Sequence, residues 1–394
     1  MKLEKKLEVL YIFDKYLNRT MNWAYRLMKY APNTQPVISS PLIVKNEFFD
    51  PDFEFINSPF QIQTPDNEWD VNIYQRGINY LTSRALPLFQ KQLFQKLKNR
   101  KIDLIHIHFG NVACRYLDLV KKLKKPLVVT FHGYDYESVF IKRPELKTKY
   151  KALFEYASLV TCGGPAGKNR LIKNGCPPEK IQILRLGIEP KKIPIFERIK
   201  AKKQLRILQA GTITEKKGHI FTVKAFAKAI QNCPNMHLTI LGEKENSTII
   251  SSLNQIIQNQ NLQEQIEFKD ILTYEQFIQF SANFDAFIHP SCTAKNGDCE
   301  GGTPLVIQDM MATGMPVIST THADIEEGVL HGKNGFLSDE KDIDDLATSI
   351  EKFYYMDEIE YSLFCQNARK HIETNYQMSK SGKLLRQLYE GLIP

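Results

Sequence analysis

The chain has 394 residues, of which 43% are hydrophobic and 24% charged, and its formal net charge is +8. This length exceeds what one compact core normally holds, so we expect two domains, and the ordinary composition excludes collagen, extended disorder and a disulfide miniprotein. No apolar run approaches the roughly 18 residues of a membrane-spanning helix, and the first residues show no cleavable signal pattern. The seven cysteines are scattered without a CxxC pair, which is typical of reduced thiols in the cytoplasm.

Positive charge is concentrated in the first half of the chain, where residues 1–190 contain 30 lysines and arginines against 18 acids. The excess lies in three segments, Lys91–Lys101, Lys121–Lys125 and Lys142–Lys151. Apolar residues from Leu88 to Leu97 accompany the first segment at helical spacing. This segment is therefore either a helix on an anionic membrane face or a solvated helix whose apolar side packs in the core. Nucleic acid is not expected, because the segments lack the motifs of common binding modules.

Short apolar runs alternate with helical stretches along the chain, which is the signature of parallel α/β sheets. The predicted strands, in chain order, are Leu7–Phe13, Ile102–Ile107, Leu127–Phe131, Leu159–Cys162, Ile181–Leu184, Leu205–Ala210, His237–Leu241, Gln265–Phe268, Ala286–His289 and Pro316–Ser319. Predicted helices include Lys217–Ala229, Tyr274–Ser281 and Asp342–Tyr355. The predicted fold is α/β, with two facing Rossmann-like domains and an interdomain cleft.

The predicted domain boundaries follow from a polar, proline-bearing stretch between the two series of strands. We expect a first domain at 1–190, a linker at 191–204, a second domain at 205–375, and a C-terminal helix at 376–394 that returns to the first domain. In open parallel sheets, ligands bind beyond the carboxyl ends of the strands. The residues to inspect therefore lie at or just after the ends of the predicted strands, in loops that are expected to line the cleft: His106, His108, Gly110, residues 132–135, Gly211–Thr212, Gly242–Glu243 and residues 289–291.

The most informative stretch is GDCEGGTPLVIQDMMATGMPV, residues 297–317. Thr303 suits an N-cap and Pro304 a first helical turn, which predicts a ten-residue helix that ends near Gly314. Free N–H groups and the macrodipole at such a helix start favour an anion. Glu300 would instead accept hydrogen bonds from neutral hydroxyls, as on a sugar. Together these features indicate a nucleotide-sugar, and the alternative is an ordinary capped helix with an exposed glutamate.

A second informative stretch is LRILQAGTITEKKG, residues 205–218, which reads as a strand, a tight turn and a loop. The loop ends in Lys216 and Lys217 at a predicted helix start. A lysine there supplies a point charge that stabilises a departing diphosphate. Either lysine alone is more often a surface residue, so the indication depends on the glycine-rich stretch.

Eight segments resemble, in family order and over nearly the whole chain, the motifs of family 4 retaining glycosyltransferases of the GT-B fold. The chain is similar to the branch that builds bacterial capsule, exopolysaccharide and lipopolysaccharide. The matching segments are RTMNWAYRLM, IDLIHIHFG, PLVVTFHGYDY, AGTITEKKG, LTILGE, DAFIHPS, GDCEGGTPLVIQDMMATGMPVIST and HGKNGFL. The resemblance implies a hexosyltransferase-type enzyme that moves a sugar, with retention, from a nucleoside-diphosphate-sugar to a saccharide or polyprenyl-diphosphate-linked acceptor. It implies no metal and no cofactor beyond the donor substrate.

The resemblance also implies residue roles. Three residues are expected to be catalytic: Glu300 at the donor-sugar hydroxyls, Lys217 at the diphosphate and His132 at the reacting sugar. The further donor-binding residues are Gly211, Thr212, Gly301, Gly302, Thr303, Pro304 and Asp309, the last of which would hold the nucleotide ribose. The acceptor-side residues are Asn18, Arg19, His108, Gly110, Gly133 and Asp135.

Three departures from the family pattern stand out. Thr212 replaces the phosphate-binding arginine, and losing one charge-assisted hydrogen bond costs about 1.5–3 kcal/mol, or ten- to hundred-fold in rate. Asp309 replaces the second glutamate and lies nine rather than eight positions after Glu300. The double-glycine turn after the first strand is absent. Arg19 and Arg185 are both candidates for the missing phosphate charge.

The histidines and cysteines near these motifs have simpler explanations as well. His132 closes a buried strand, where a histidine often bonds only a backbone carbonyl, but the intact FHGYD segment favours a site role. His106 is expected to point away from His108, into the packing. Cys292 and Cys299 flank the donor loop without the spacing of a thiol nucleophile or a metal site.

Two other functions remain open from the sequence. Thr212 and Asp309 are compatible with a non-catalytic nucleotide-sugar-binding scaffold, and a nucleotide-sugar epimerase shares the same fold. The basic first domain favours an acceptor with anionic sugars or a polyprenyl diphosphate. We therefore expect a cytoplasmic protein with peripheral contact at the inner face of the membrane.

Overall fold

The computed structural model describes residues 6–17, 21–46, 48–65, 72–201, 203–242 and 247–393. Contacts divide the chain into two compact units. Unit 1 comprises Met1–Leu186 and Met378–Pro394, and unit 2 comprises Gly187–Gln377. The division therefore lies a few residues from the linker at 191–204 and the helix start at 376 that the sequence suggested.

The strands are short and apolar, and most are buried on both faces, as is usual in parallel sheets covered by helices. In chain order they are β1 Leu7–Ile12, β2 Thr34–Ser39, β3 Leu42–Lys45, β4 Glu54–Phe55, β5 Ile62–Pro65, β6 Leu104–His108, β7 Leu127–Thr130, β8 Leu159–Cys162, β9 Ile181–Ile183, β10 Leu205–Ala210, β11 Met236–Leu241, β12 Ile266–Lys269, β13 Ala286–His289, β14 Val317–Thr320 and β15 Gly335–Ser338. The ten predicted strands are all present, with ends shifted by at most two residues.

The helices cover the sheets and use polar caps at several starts. They are α1 Asn22–Tyr30, α2 Asn72–Leu97, α3 Gly110–Leu123, α4 Ser138–Lys142, α5 Leu146–Tyr156, α6 Pro165–Lys173, α7 His219–Ala229, α8 Ser247–Asn259, α9 Tyr274–Phe280, α10 Leu305–Ala312, α11 Ile325–Gly328, α12 Ile343–Tyr355, α13 Glu358–Asn375 and α14 Met378–Glu390. Thr273 forms a capping box with Gln276 at the start of α9, and Asp342 accepts two backbone N–H groups at the start of α12.

Each unit carries a parallel sheet whose strand order fixes where a ligand binds. Within the described residues, unit 1 has the order β4-β2-β1-β6-β7-β8-β9, with β3 paired separately to β5, and unit 2 has the order β12-β11-β10-β13-β14-β15. The order reverses between β1 and β6 in unit 1 and between β10 and β13 in unit 2. Crevices at such switch points, beyond the carboxyl ends of the strands, are the usual binding sites of doubly wound sheets. The predicted pair of Rossmann-like domains is thus confirmed.

The C-terminal helix α14 packs within unit 1. Arg386 donates a hydrogen bond of 2.6 Å to the carbonyl of Asn33, and the hydroxyls of Tyr389 and Tyr11 are 2.8 Å apart. Gly382 allows a close approach to α1, because a Cβ there would lie 2.1 Å from the carbonyl oxygen of Tyr30. The last turns of the chain therefore complete the core of the first unit.

The basic amphipathic segment at residues 88–101 lies largely in α2. Phe89, Leu93 and Leu97 are buried in the core, whereas Leu88 is 52% exposed. The apolar side of this helix thus packs inside unit 1, as in the second of the two interpretations. Among the described residues, no helix combines the length and the apolar character that crossing a bilayer requires.

Candidate active site

The loops that follow β10 and β13 bring the predicted donor-site residues of unit 2 together. The two strands are hydrogen-bonded neighbours, so their carboxyl ends lie side by side. After β10, a short 3-10 turn at Glu215–Lys217 precedes α7. After β13, the chain passes Ser291 and returns to Glu300. This topology places residues that are far apart in sequence at one edge of the sheet.

Glu300 and Lys217 form a nearly buried ion pair at this edge. Lys217 Nζ lies 2.8 Å from Glu300 Oε1, and the two side chains are 18% and 10% exposed. Ser291 Oγ donates a second hydrogen bond of 3.0 Å to the same carboxylate oxygen. Ser291 was singled out from the sequence only as a residue after a predicted strand, and its contact with Glu300 was not foreseen. The second carboxylate oxygen has no such partner among the described residues, which leaves it available to hydroxyl donors.

The charges around Glu300 keep it ionised. Burial, the largest influence, would raise the pKa of Glu300, but the positive charges of Lys217 and Lys216 lower it below the usual range. Lys216 Nζ lies 3.1 Å from Asp298 Oδ1. Burial, the largest influence, would lower the pKa of Lys216, but the negative charges of Glu300 and Asp298 together raise it. The site therefore holds two lysine–carboxylate pairs, a pattern in which each lysine can exchange its carboxylate partner for a phosphate.

The predicted glycine turn of unit 2 is tightly packed. Gly211 has a φ of +146°, a conformation that L side chains rarely adopt, and a Cβ on Gly242 would lie 2.0 Å from the carbonyl oxygen of Gly211. Thr212 follows directly and is half-buried, with its carbonyl accepting the N–H of Thr214. No arginine stands at this turn, so the nearest cations on the same loop are Lys216 and Lys217.

The glycine-rich loop and its helix differ from the prediction. Helix α10 begins at Leu305 and spans eight residues, so the prediction of a ten-residue helix capped by Thr303 was wrong. Thr303 Oγ1 instead donates 2.7 Å to the carbonyl of Asp324, and Pro304 occupies the extended position before the helix. Within the described part of the chain, the backbone N–H groups of Gly301 and Gly302 donate to no protein acceptor.

Asp309 lies on α10 and is nearly buried. Tyr274 Oη, at the start of α9, donates a hydrogen bond of 2.7 Å to Asp309 Oδ1. The tyrosine is the first residue of α9, which follows β12, and sequence reasoning did not identify it as a site residue. This hydrogen bond fixes the orientation of the Asp309 carboxylate at this edge of unit 2.

In unit 1, the predicted acceptor-side residues meet at the carboxyl ends of β6 and β7. Asp135 is fully buried and accepts two backbone N–H groups at 2.8 Å, from Gly110 and from His132. It thus joins the start of α3 to the FHGYD turn, in which Gly133 has a φ of +107°. His132 Nε2 lies 3.1 Å from His108 Nδ1. Burial lowers the pKa of His132 to about 3, so both rings are neutral near pH 7.

The expectation for His106 was half wrong. The side chain is buried in the packing, with its ring nitrogens 2.5 Å from Tyr389 Oη and 2.6 Å from Thr130 Oγ1. It does not point away from His108, however, because residues two apart on a strand share a face. The two rings stack with centroids 4.2 Å apart. Asn18 and Arg19, also expected on the acceptor side, lie outside the described residues.

Comparisons with known proteins give the same assignment for both halves of the chain. Residues 58–192 match the family Glycosyltransferase Family 4, and residues 191–371 match Glycosyl transferases group 1. The amylovoran biosynthesis glycosyltransferase AmsK of Erwinia amylovora is 30% identical over 74% of this chain and 70% of its own length. The putative colanic acid biosynthesis glycosyltransferase WcaL of Escherichia coli is 26% identical over 74% of this chain and 71% of its own length.

A solved structure supports the fold. The Anabaena protein HepE, crystallised in complex with UDP and glucose, matches with a TM-score of 0.70 and 16% identity, over 98% of this chain and all of that one. The fold is therefore GT-B, as the sequence motifs indicated. With these matches and the site geometry, the chain belongs to the family 4 glycosyltransferases, enzymes that transfer glycosyl groups.

Proposed function

We propose that this enzyme transfers a sugar, with retention of anomeric configuration, from a nucleoside-diphosphate-sugar to a saccharide or lipid-linked oligosaccharide in surface polysaccharide biosynthesis. The contact between Lys217 and Glu300 supports the proposal best, because a cation suited to phosphate lies beside a carboxylate suited to sugar hydroxyls. The names of AmsK and WcaL, which refer to amylovoran and colanic acid biosynthesis, support the polysaccharide class.

Unit 2 binds the donor in this proposal. The Glu300 carboxylate holds sugar hydroxyls, the N–H groups of Gly301 and Gly302 face the sugar and diphosphate, and Asp309 accepts the ribose hydroxyls. Lys217 stabilises the negative charge that grows on the departing diphosphate. The HepE complex contains UDP and glucose, which makes UDP-sugars the first donors to test.

Unit 1 binds the acceptor in this proposal, with His132 and His108 at the reacting end. Their neutral rings donate or accept hydrogen bonds without adding charge. In the transfer step, the bond from the anomeric carbon to the diphosphate oxygen breaks, and its electron pair leaves with the diphosphate. The acceptor oxygen forms the new bond on the same face, and its proton passes to the leaving phosphate.

A donor-consumption assay tests this function. UDP- and GDP-sugars that raise the melting temperature of the chain are incubated with and without an oligosaccharide acceptor, and the linkage of the product is determined by NMR. We expect consumption that requires the acceptor and a product of retained configuration. Consumption without acceptor would indicate an epimerase or hydrolase, and binding without consumption a scaffold; either result contradicts the proposal.

We further propose that the enzyme works in the cytoplasm, with unit 1 against an anionic membrane surface. The surface of α4 and α5 supports this contact, since Ile141 is 61% exposed and the lysines that follow it are exposed on the same two helices. Basic side chains near anionic headgroups contribute about 1 kcal/mol each. We assign the membrane contact to this surface rather than to α2, because the apolar side of α2 packs in the core of unit 1.

Replacing Lys142, Lys147 and Lys149 with alanine should weaken binding to phosphatidylglycerol vesicles on the order of 100-fold, because three attractive charges are lost. Co-sedimentation measures the effect, with phosphatidylcholine vesicles as the neutral reference. The matched control replaces three exposed lysines of unit 2, Lys224, Lys333 and Lys370. Equal binding by both triple variants would contradict the proposed surface.

A further inference from the structure

The loop that presents Glu300 is held at both ends by one imidazole and one carboxylate. His322 follows β14 and Glu340 follows β15, and these strands are paired with Thr320 opposite Ser338. The two side chains therefore start from the same edge of the sheet that carries the donor site. His322 is fully buried, and the Glu340 side chain is 30% exposed.

The hydrogen bonds define how His322 acts. The backbone N–H of Glu300 donates to His322 Nε2 at 3.0 Å, so this nitrogen carries a lone pair. The proton of the neutral ring is then on Nδ1, which lies 2.5 Å from Glu340 Oε1. A carboxylate that fixes the tautomer of a histidine also fixes the orientation of its ring. The two hydrogen bonds therefore connect Glu340, through the His322 ring, to the backbone of Glu300.

Glu340 also holds the other end of the same loop. Its Oε2 accepts the backbone N–H of Thr293 at 2.7 Å, and its Oε1 lies 3.3 Å from Thr293 Oγ1. One carboxylate thus ties residue 293 directly and residue 300 through His322. Thr320 Oγ1 adds a further tie, 2.5 Å from the carbonyl of Ser291. The loop between these ties carries Asp298, the partner of Lys216.

We propose that His322 and Glu340 form a clasp that positions Glu300 for glycosyl transfer. Both are positioning residues, since His322 holds the backbone of Glu300 and Glu340 holds His322 and the backbone of Thr293, and the Glu300 carboxylate itself bonds Lys217 and Ser291. The expected effect on turnover rests on the proposed function, whereas the expected tethering of the loop at residues 293–300 does not. Glu300 acts on sugar hydroxyls, so loosening its backbone should lower turnover more than it weakens binding of the nucleotide.

The deciding experiment compares His322→Phe and Glu340→Gln with the wild-type enzyme. Phenylalanine keeps a ring but cannot accept the Glu300 N–H, and glutamine keeps the shape of Glu340 without its charge. We expect kcat to fall about 10- to 100-fold in His322→Phe, with the Kd for UDP or GDP within about threefold of wild type. Hydrogen exchange of the peptide covering residues 293–300 should be faster in both variants. His331→Phe, on the same connection between β14 and β15, is the control.

Unchanged exchange and unchanged kcat in both variants would overturn the clasp, as would a loss of nucleotide affinity equal to the loss of kcat. If His322→Phe fails to fold, Glu340→Gln decides, with an expected kcat loss of about 3- to 30-fold. The exchange measurement needs no catalysis, so it judges the clasp even if the wild-type chain transfers no sugar, a result that would contradict the proposed function alone.

Discussion

Replacing Glu300 with glutamine should lower the rate of sugar transfer by about 100- to 10,000-fold. Hydrogen bonds from sugar hydroxyls to a carboxylate are worth about 1.5–3 kcal/mol each, and two of them at the reacting sugar give this range. Affinity for the nucleoside diphosphate should rise about tenfold in the same variant, because Lys217 loses the anionic partner at 2.8 Å and becomes free for phosphate. Steady-state kinetics and calorimetry measure the two effects.

Opposite changes in turnover and nucleotide affinity distinguish this role from simple damage to the fold. Glu264→Gln, an exposed acid of unit 2, serves as the matched control and should change neither quantity more than twofold. Thermal unfolding of Glu300→Gln should remain cooperative, since the Lys217 side chain is 18% exposed and retains access to water. Wild-type turnover, or a fall in nucleotide affinity that matches the fall in rate, would exclude Glu300 as the sugar-binding carboxylate.

Much of the fold was predictable because most of the buried strands are short, largely apolar runs. LVVT at residues 127–130 and AFIH at 286–289 have no polar face, and the structure buries both fully. Strand β2 was missed because its sequence, TQPVIS, contains a proline, which usually indicates an edge strand or none. It nevertheless pairs with β1 and β4 inside the sheet. Tertiary pairing, which local sequence does not encode, decided that element.

The candidate site was predictable only where a motif names its residues. Glu300 and Lys217 were identified from separate motifs 83 residues apart, but only the folded chain shows that they are in contact. Thr303 was misassigned because a threonine before a helix usually caps it, whereas here the carbonyl of Asp324 captures its hydroxyl. At Thr303, a hydrogen bond to a residue distant in sequence therefore outweighs the local preference of threonine for the N-cap position.

His322 and Glu340 illustrate what sequence reasoning lacks. Neither residue sits at a recognisable ligand spacing, and each follows its own strand. Their contact depends on the pairing of β14 with β15, which brings two carboxyl ends together across 18 residues of chain. The available signal was positional, since each residue lies two positions past the end of a short strand. Such a position indicates that a residue lies at the edge of the sheet where ligands bind, but it does not show which residue it contacts.

Lowering the pH from 7 to 5 should destabilise both units, because each contains a buried histidine that folding keeps neutral. Burial lowers the pKa of His106 in unit 1 and of His219 in unit 2 to about 3, and the charge of Lys217 adds to the effect on His219. An unfolded histidine titrates near pH 6.5, so between pH 6.5 and 3 the unfolded chain binds more protons. The stabilising contribution is therefore complete above pH 6.5 and is lost as the pH falls. At pH 5 the loss is about 2 kcal/mol for each histidine.

The variant His219→Leu isolates the contribution of unit 2. Its free energy of unfolding, measured by urea titration, should fall about 2 kcal/mol less between pH 7 and pH 5 than that of the wild type. Thr222→Val is the matched control, because Thr222 is also buried on α7 but binds no proton in this range. Stability of the control should change by a constant amount at both pH values. An identical pH dependence in His219→Leu and in the wild type would show that His219 is not held neutral by the fold.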